Sequence, residues 1–262
     1  MKISIIVPVY LSEPFLNSNF NNLAKQTYEN LEIIYINDGS PDSSAKLCDE
    51  FALLDNRVKV IHQENAGAAE ALNVGIQHAT GSFMMFLDAD DWIELNTCEL
   101  AINAIVKNEV DMVFWPSIKE YQTKSVPVLP FFKEAQVFTG QGIAFLRRRM
   151  IGLLKEELVN PMGTDAFNAG WGKLYRTCLI RDNNIRWNDT KYVGSSDVLF
   201  NANLMPFVKS AYYLENYLHH YNKNNPNSLT KTYNDTLRDK FSNLFTELKL
   251  ILENKYSTSD DY

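Results

Sequence analysis

Residues 3 to 115 alternate between two hydrophobic rhythms. Near-continuous apolar runs at Ile3–Val9, Leu31–Ile36, Val58–Ile61, Phe83–Leu87 and Asp111–Trp115 read as short strands buried on both faces, as in a parallel sheet. The segments between them carry a helical period. Ser12 and Pro14 open one helix, with Leu16, Phe20 and Leu23 on its apolar face. Ser40–Pro41 opens a second, with Leu47, Phe51 and Leu54 on one side. A third runs from about Ala68 to Ala79 and stops at Gly81 as its C-terminal glycine, and a fourth covers Glu94 to Lys107. This strand–helix order predicts an α/β fold with a mostly parallel, right-handed sheet.

Beyond Trp115 the rhythm breaks. Pro116, Pro127 and Pro130 interrupt a stretch without clear period; a helix is predicted from Gly140 to Leu158, loops and short elements over residues 160–230, and a last helix over Leu237–Glu253. On that helix Leu237, Phe241, Leu244, Leu248 and Ile251 form one stripe. No repeat or low-complexity linker divides the chain.

Composition narrows the function. With 262 residues, 45% hydrophobic and 22% charged, the chain reads as an ordinary globular protein. A net charge of -7 argues against nonspecific nucleic-acid binding and means that a phosphate ligand needs a local cation. Cys48, Cys98 and Cys178 are odd in number and far apart, which fits neither a disulfide framework nor a zinc cluster. The N-terminus starts directly with a strand-like run and lacks a signal-peptide pattern, and no apolar run approaches the roughly 20 residues of a membrane span. The expected location is the cytoplasm.

Open parallel sheets bind ligands beyond the carboxyl ends of their strands. Three such exits carry polar residues here: Pro8–Val9–Tyr10, Asn37–Asp38–Gly39–Ser40, and Asp88–Ala89–Asp90–Asp91. The last is the sharpest signal. Three carboxylates within four positions repel one another unless a cation screens them, and hard ions such as Mg²⁺ or Mn²⁺ bind one or two carboxylates plus substrate phosphates. Read singly, Asp-Gly is a common turn and the acids could cap a helix; their convergence on one sheet edge favours a site. There is no Gly-x-Gly-x-x-Gly after the first strand and no Walker lysine loop, so neither a dinucleotide oxidoreductase nor a P-loop NTPase is supported.

Together with Asn65–Ala66–Gly67 and Ala71–Leu72–Asn73–Val74–Gly75, these motifs resemble the family 2 glycosyltransferases of the GT-A fold. The resemblance implies a Rossmann-like sheet flanked by helices, with residues 1–115 as the nucleotide-sugar half, 116–233 as the acceptor and catalytic-base half, and 234–262 as a C-terminal helix and tail. It implies that Pro8, Tyr10 and Asp38 hold a nucleoside, usually uridine, that Asp88 meets ribose or metal, and that Asp90 binds Mn²⁺ or Mg²⁺. Many relatives carry Arg where this chain has Leu72. In the second half, Gly194–Ser195–Ser196–Asp197 resembles the Gly-Glu-Asp element whose acid is the base, with Ser196 in place of Glu and one residue added. Asp197 is therefore the expected catalytic base. Trp171–Gly172–Lys173–Leu174–Tyr175 resembles a wall of the sugar pocket, and His219 and His220 are candidates for the metal shell or the diphosphate.

The implied reaction is an inverting single displacement, in which Asp197 takes the proton of an acceptor hydroxyl as that oxygen attacks the anomeric carbon of a UDP-sugar. The implied acceptor is a glycan or lipid-linked glycan. A sugar-1-phosphate nucleotidyltransferase would want a cationic Gly-rich loop after the first strand, which Pro8–Val9–Tyr10–Leu11 does not offer. A glycan- or nucleotide-binding protein with a dead site would not need Asp88, Asp90 and Asp197 together. Finally, Arg147–Arg148–Arg149 with Phe145, Leu146, Met150, Ile151, Leu153 and Leu154 reads as a basic amphipathic segment, an expectation of peripheral contact with the inner face of a membrane.

Overall fold

The computed structural model describes residues 1–130, 132–152, 165–226 and 235–255. Its first half builds strands β1 (Ile3–Val9), β2 (Leu31–Asp38), β3 (Val58–Gln63), β4 (Phe83–Phe86), β5 (Trp92–Ile93) and β6 (Met112–Phe114), with helices α1 (Glu13–Ala24), α2 (Ser44–Leu54), α3 (Ala68–His78) and α4 (Thr97–Asn108) between them. The second half adds β7 (Ser117–Tyr121), β8 (Lys124–Pro127), β9 (Gln136–Thr139), β10 (Lys173–Arg176), β11 (Ser210–Tyr213) and β12 (His219–Asn222). Its helices are α5 (Gln141–Ile151), α6 (Asp165–Asn168), α7 (Thr177–Arg181), α8 (Ser196–Leu204) and α9 (Leu237–Lys255).

The main sheet has the order β3-β2-β1-β4-β10-β6-β11-β9. Strands β3, β2, β1 and β4 are mutually parallel, and β10 lies antiparallel between β4 and β6. A smaller sheet, β5-β12-β7-β8, stands beside it. Strand alternation sends Ile3, Ile5, Val7 and Val9 to one face, against α1, α2 and α4, while Ile6, Ile34 and Ile36 face α3, α5 and α8. The result is a three-layer α/β/α sandwich, as the apolar runs predict. Burying β1 completely from Ile3 to Val7 gives the sheet its rigid centre.

Several boundaries differ from expectation. Helix α2 begins at Ser44, because residues 39–43 form the exit loop of β2; Leu54, placed on the apolar face, is 75% exposed. Helix α4 begins at Thr97, since Trp92–Ile93 pairs with β12 as a strand. Strand β3 is an edge strand and only partly buried. Helix α3 ends at His78, and Gly81 does not cap it: a Cβ there would lie 2.7 Å from Ser4 Oγ, so glycine is needed for close approach at the start of β4. Of the α9 stripe, Leu244, Leu248 and Ile251 are buried, whereas Leu237 and Phe241 stay partly exposed.

Helix α5 is turned inward. Leu146 and Met150 lie in the core, and the Arg147 guanidinium donates to the carbonyls of Met205, Pro206 and Val208. Arg148 and Arg149 lie over the Phe145 ring. Leu146, Met150 and Arg147 are therefore not available to a bilayer; Leu153 and Leu154 lie outside the described residues. No described helix is long and apolar enough to cross a membrane.

At the amino edge, Glu32 is 2% exposed and accepts hydrogen bonds from Ser4 Oγ, Thr80 N and Oγ1, Gly81 N and Lys59 Nζ. Burial alone would raise its carboxyl, but the bonds from Lys59, Ser4 and Thr80 outweigh it and hold the pKa at about 2.

Candidate active site

Because β1, β2 and β4 are parallel neighbours, the loops after them share one edge of the sheet. After β1, Tyr10 is 48% exposed and Leu11 adopts φ 50, a left-handed conformation uncommon for leucine. After β2, Asp38 is buried, and its carboxylate accepts from Ala66 N (2.8 Å), Gly67 N (2.8 Å) and Gln63 Nε2 (2.7 Å). Asp38 thereby ties the 63–67 loop to β2. Gly39, at φ 64, lets that loop pass close by, since a Cβ there would lie 2.8 Å from Asn65 N. Pro8 lies within β1, where its missing N–H faces the β4 side, beyond the last paired residues Ile6 and Phe86.

After β4 come the three acids, and they divide their work. Asp91 faces inward: Oδ1 accepts from Asn222 N (2.8 Å) and Oδ2 meets His219 Nε2 (2.9 Å). This pair is almost fully buried and pins the acidic loop to β12. Asp90 accepts from Asn225 Nδ2 at 2.7 Å. Asp88 keeps part of its surface open. Its pKa is raised well above the ordinary range by burial, and then by the charges of Asp91, Asp90 and Asp197. Burial and Asp90 likewise raise Asp91.

Asp197 reaches this cluster from the other half. It lies in the first turn of α8, where unpaired N–H groups favour a carboxylate. Strand β10 runs antiparallel to β4, so it enters the sheet at the carboxyl edge and delivers residues 170–173 there. Gly170 N donates to Asp197 Oδ1 at 2.7 Å. Burial raises the Asp197 carboxyl, opposed by that N–H and by Lys173. Lys173 is 1% exposed, and burial brings its ammonium down to about 7. Neither Gly170 nor Lys173 stood out from the sequence as a partner of the acid; the only signal was a lysine flanked by Gly172 and Leu174 at a strand start.

The two histidines separate, as successive residues of a strand must. His219 stacks on Trp171, with centroids 4.2 Å apart and 6° between planes, and burial holds its pKa at about 3, so the ring is neutral. His220 points the other way, stacked on Trp92, with Nδ1 against Glu120 (2.7 Å) and Nε2 against Glu94 (3.0 Å). The structure thus joins Asp88, Asp90, Asp91, His219 and Asp197 around one edge and leaves His220 outside. Leu72 is buried against the sheet.

Among the described residues, no three His, Cys, Asp or Glu side chains are arranged to hold a metal by themselves. Asp91 and His219 are committed to each other, which leaves Asp90 and Asp88. Two carboxylates in a charge-crowded pocket fit a hard divalent ion whose remaining ligands come from substrate oxygens and water.

The profile of glycosyl transferase family 2 matches residues 4–176. The chain belongs to this family. EpsH of Bacillus subtilis, which bears the name putative glycosyltransferase, is 32% identical over 222 residues, covering 84% of this chain and 60% of its own length. EpsJ of the same organism is 29% identical over 255 residues, covering 97% of this chain and 70% of EpsJ. The chain thus spans little more than half of the EpsH relative. Among solved structures, S. aureus TarS 1–349 in complex with UDP-GlcNAc superposes with a TM-score of 0.79 at 23% identity, over 99% of this chain and 68% of that one. The mannosyltransferase PcManGT of Pyrobaculum calidifontis, in complex with GDP-Man and Mn²⁺, gives a TM-score of 0.59 at 17% identity, over 86% and 58%. These likenesses establish the GT-A fold of the family.

Proposed function

We propose that the chain catalyses inverting transfer of a sugar from a UDP-sugar to a hydroxyl of a glycan or lipid-linked glycan. The observation that carries this reading is the meeting of Asp88 and Asp90, from the donor half, with Asp197, from the acceptor half, at one sheet edge of a family 2 fold. Tyr10, exposed beside that edge, offers a ring face to a nucleobase, while Asp38 holds the adjoining 63–67 loop in place. Asp90 and Asp88 would hold Mn²⁺ or Mg²⁺, which when bound neutralises the charge of the nucleotide diphosphate. Asp197 takes the acceptor proton; its raised proton affinity makes it a stronger base than an exposed aspartate. The choice of uridine is supported by the TarS neighbour, which was solved with UDP-GlcNAc.

UDP release from UDP-GlcNAc in Mn²⁺ tests the proposal. Asp197→Asn should lower turnover by about 10²–10⁴, the usual effect of losing a general base, with donor affinity unchanged. Asp90→Ala should nearly abolish metal-dependent turnover while leaving the fold intact. Wild-type turnover in either variant refutes the role assigned to that residue.

A further inference from the structure

Lys173 is a basic side chain buried almost completely beside the acidic cluster. It is 1% exposed at the start of β10, its ammonium donates to the Ala169 carbonyl, and it stands 5.9 Å from the centroid of the Phe167 ring. A buried ammonium costs several kcal/mol unless it is well partnered. What it touches is informative. The Ala169 carbonyl and the Gly170 N–H belong to the same peptide unit, and among the described residues no peptide bond is cis. In a trans unit the C=O and N–H point in opposite directions. Lys173 therefore sits at one end of this amide and Asp197 Oδ1 at the other, 2.7 Å from Gly170 N. The amide dipole is aligned between a cation and an acid, and polarisation strengthens such chains.

The surrounding groups hold the strap without touching the acid's side chain. Asn201 Nδ2 donates to the carbonyls of Asn168 (2.9 Å) and Asp197 (3.0 Å). The Tyr175 hydroxyl donates to the Gly170 carbonyl (3.3 Å) and lies 3.2 Å from Asn201 Oδ1. Gly170 has no room for a side chain beside Asp197. The strap is thus fastened to α8 and β10 behind, and it presents one N–H forward.

We propose that Lys173 is a positioning residue for Asp197, acting through the Ala169–Gly170 peptide to fix the Gly170 N–H on the carboxylate. The proposal rests on the reading of Asp197 as the base. The sequence does not reveal this link, because it runs through main-chain atoms of residues 169 and 170.

The test uses ¹⁵N-labelled full chain and the amide resonance of Gly170. Lys173→Met should move the Gly170 proton upfield, as should Asp197→Asn, because each removes one end of the polarised amide. With UDP-GlcNAc and Mn²⁺ as the probe, Lys173→Met should lower UDP release by about 10–100-fold, the usual effect of losing an outer partner of a reacting group. The Kd for UDP-GlcNAc should stay within about twofold. In an Asp197→Asn background the Lys173→Met change should cause no further loss, since residues acting as a unit are not additive. If Lys173→Met fails to fold, Lys173→Gln, which keeps a donor without the charge, carries the same measurements. An unmoved Gly170 resonance, or equal losses in both backgrounds, overturns the proposal. Full turnover in Asp197→Asn alone overturns the base assignment instead, and the Gly170 shift then still reports whether the amide link exists.

Discussion

Gly170 is the position where a single methyl group should do the most damage. Its φ lies outside the left-handed region, so glycine is required by space. A Cβ would lie 2.0 Å from Trp187 Cη2, 2.8 Å from Trp187 Cζ2 and 3.0 Å from Asp197 Oδ1. Carbon atoms prefer about 3.5–4.0 Å, so either ring or strand must yield by roughly 1.5 Å. The ring is poorly placed to do so. Trp187 is 6% exposed, stacks on Phe200 at 4.3 Å and 12°, and meets Phe86 edge-on at 5.1 Å. Overpacking of this kind costs about 1–3 kcal/mol, and a misplacement on the order of 1 Å at a reacting group costs about 10² in rate. Gly170→Ala should therefore lower the urea midpoint and, under conditions where it remains folded, lower UDP release while UDP-GlcNAc still binds. Unchanged stability together with unchanged turnover would refute the packing argument and the placement of Asp197 against residue 170.

Four further outcomes follow from separate features. Glu32 has its pKa depressed from 4.5 to about 2, so its contribution is complete above pH 4.5 and is lost as pH falls toward 2; the shift corresponds to at most about 3 kcal/mol, and to about 2 once solvent screening through the 47% exposed Lys59 is allowed for. The stability of wild type, measured by denaturation midpoints, should accordingly fall more steeply with falling pH than that of Glu32→Gln across that window, and parallel curves would exclude the linkage. Leu11→Asn should raise the urea midpoint by the equivalent of about 0.5–1 kcal/mol, because φ 50 strains leucine more than asparagine, and a lower midpoint would contradict this. Arg147→Met should destabilise the fold by about 1–3 kcal/mol by orphaning the carbonyls of 205–208, with no change in binding to anionic vesicles; a loss of vesicle binding would reopen the lipid reading of α5. Under native conditions one thiol, Cys178, should react with a disulfide reagent, since burial pushes Cys48 and Cys98 to about 12; rapid labelling of all three would mean that the core opens.

The parts of the fold legible in the sequence are those where burial is two-sided. Strands β1, β2 and β4 are apolar at nearly every position, so their runs stand out and their exit loops can be aligned without knowing the pairing. The β5-β12-β7-β8 sheet was not legible. Its strands are short and polar, and their stability comes from cross-strand partners such as His220 with Trp92 and Glu120, which no local pattern reveals. The acidic loop was legible as a cluster, but not the division of labour within it: Asp91 is a clamp for β12, a role set by a residue more than a hundred positions away. His219 and His220 read as one pair; only the pleat separates them. The place of Asp197 beside the acidic loop agrees with its motif, whereas Gly170 has no motif, because the need for glycine arises from a tryptophan ring that arrives from a later loop.

Strand β10 also bears on how the chain matures during synthesis. One edge of β4 pairs with β1, but the other pairs with β10. While the polypeptide is still being made, that second edge has no native partner. At about 5–20 residues per second, the stretch from Phe86 to Lys173 takes on the order of 4–17 s to follow. Throughout that interval the nascent half-sheet offers open hydrogen-bonding groups beside the apolar side chains of Phe83–Phe86, the kind of edge that recruits other chains. Chaperone demand should therefore peak midway through translation and end when β10 docks, and a fragment ending near residue 115 should aggregate and not behave as an isolated nucleotide-binding module.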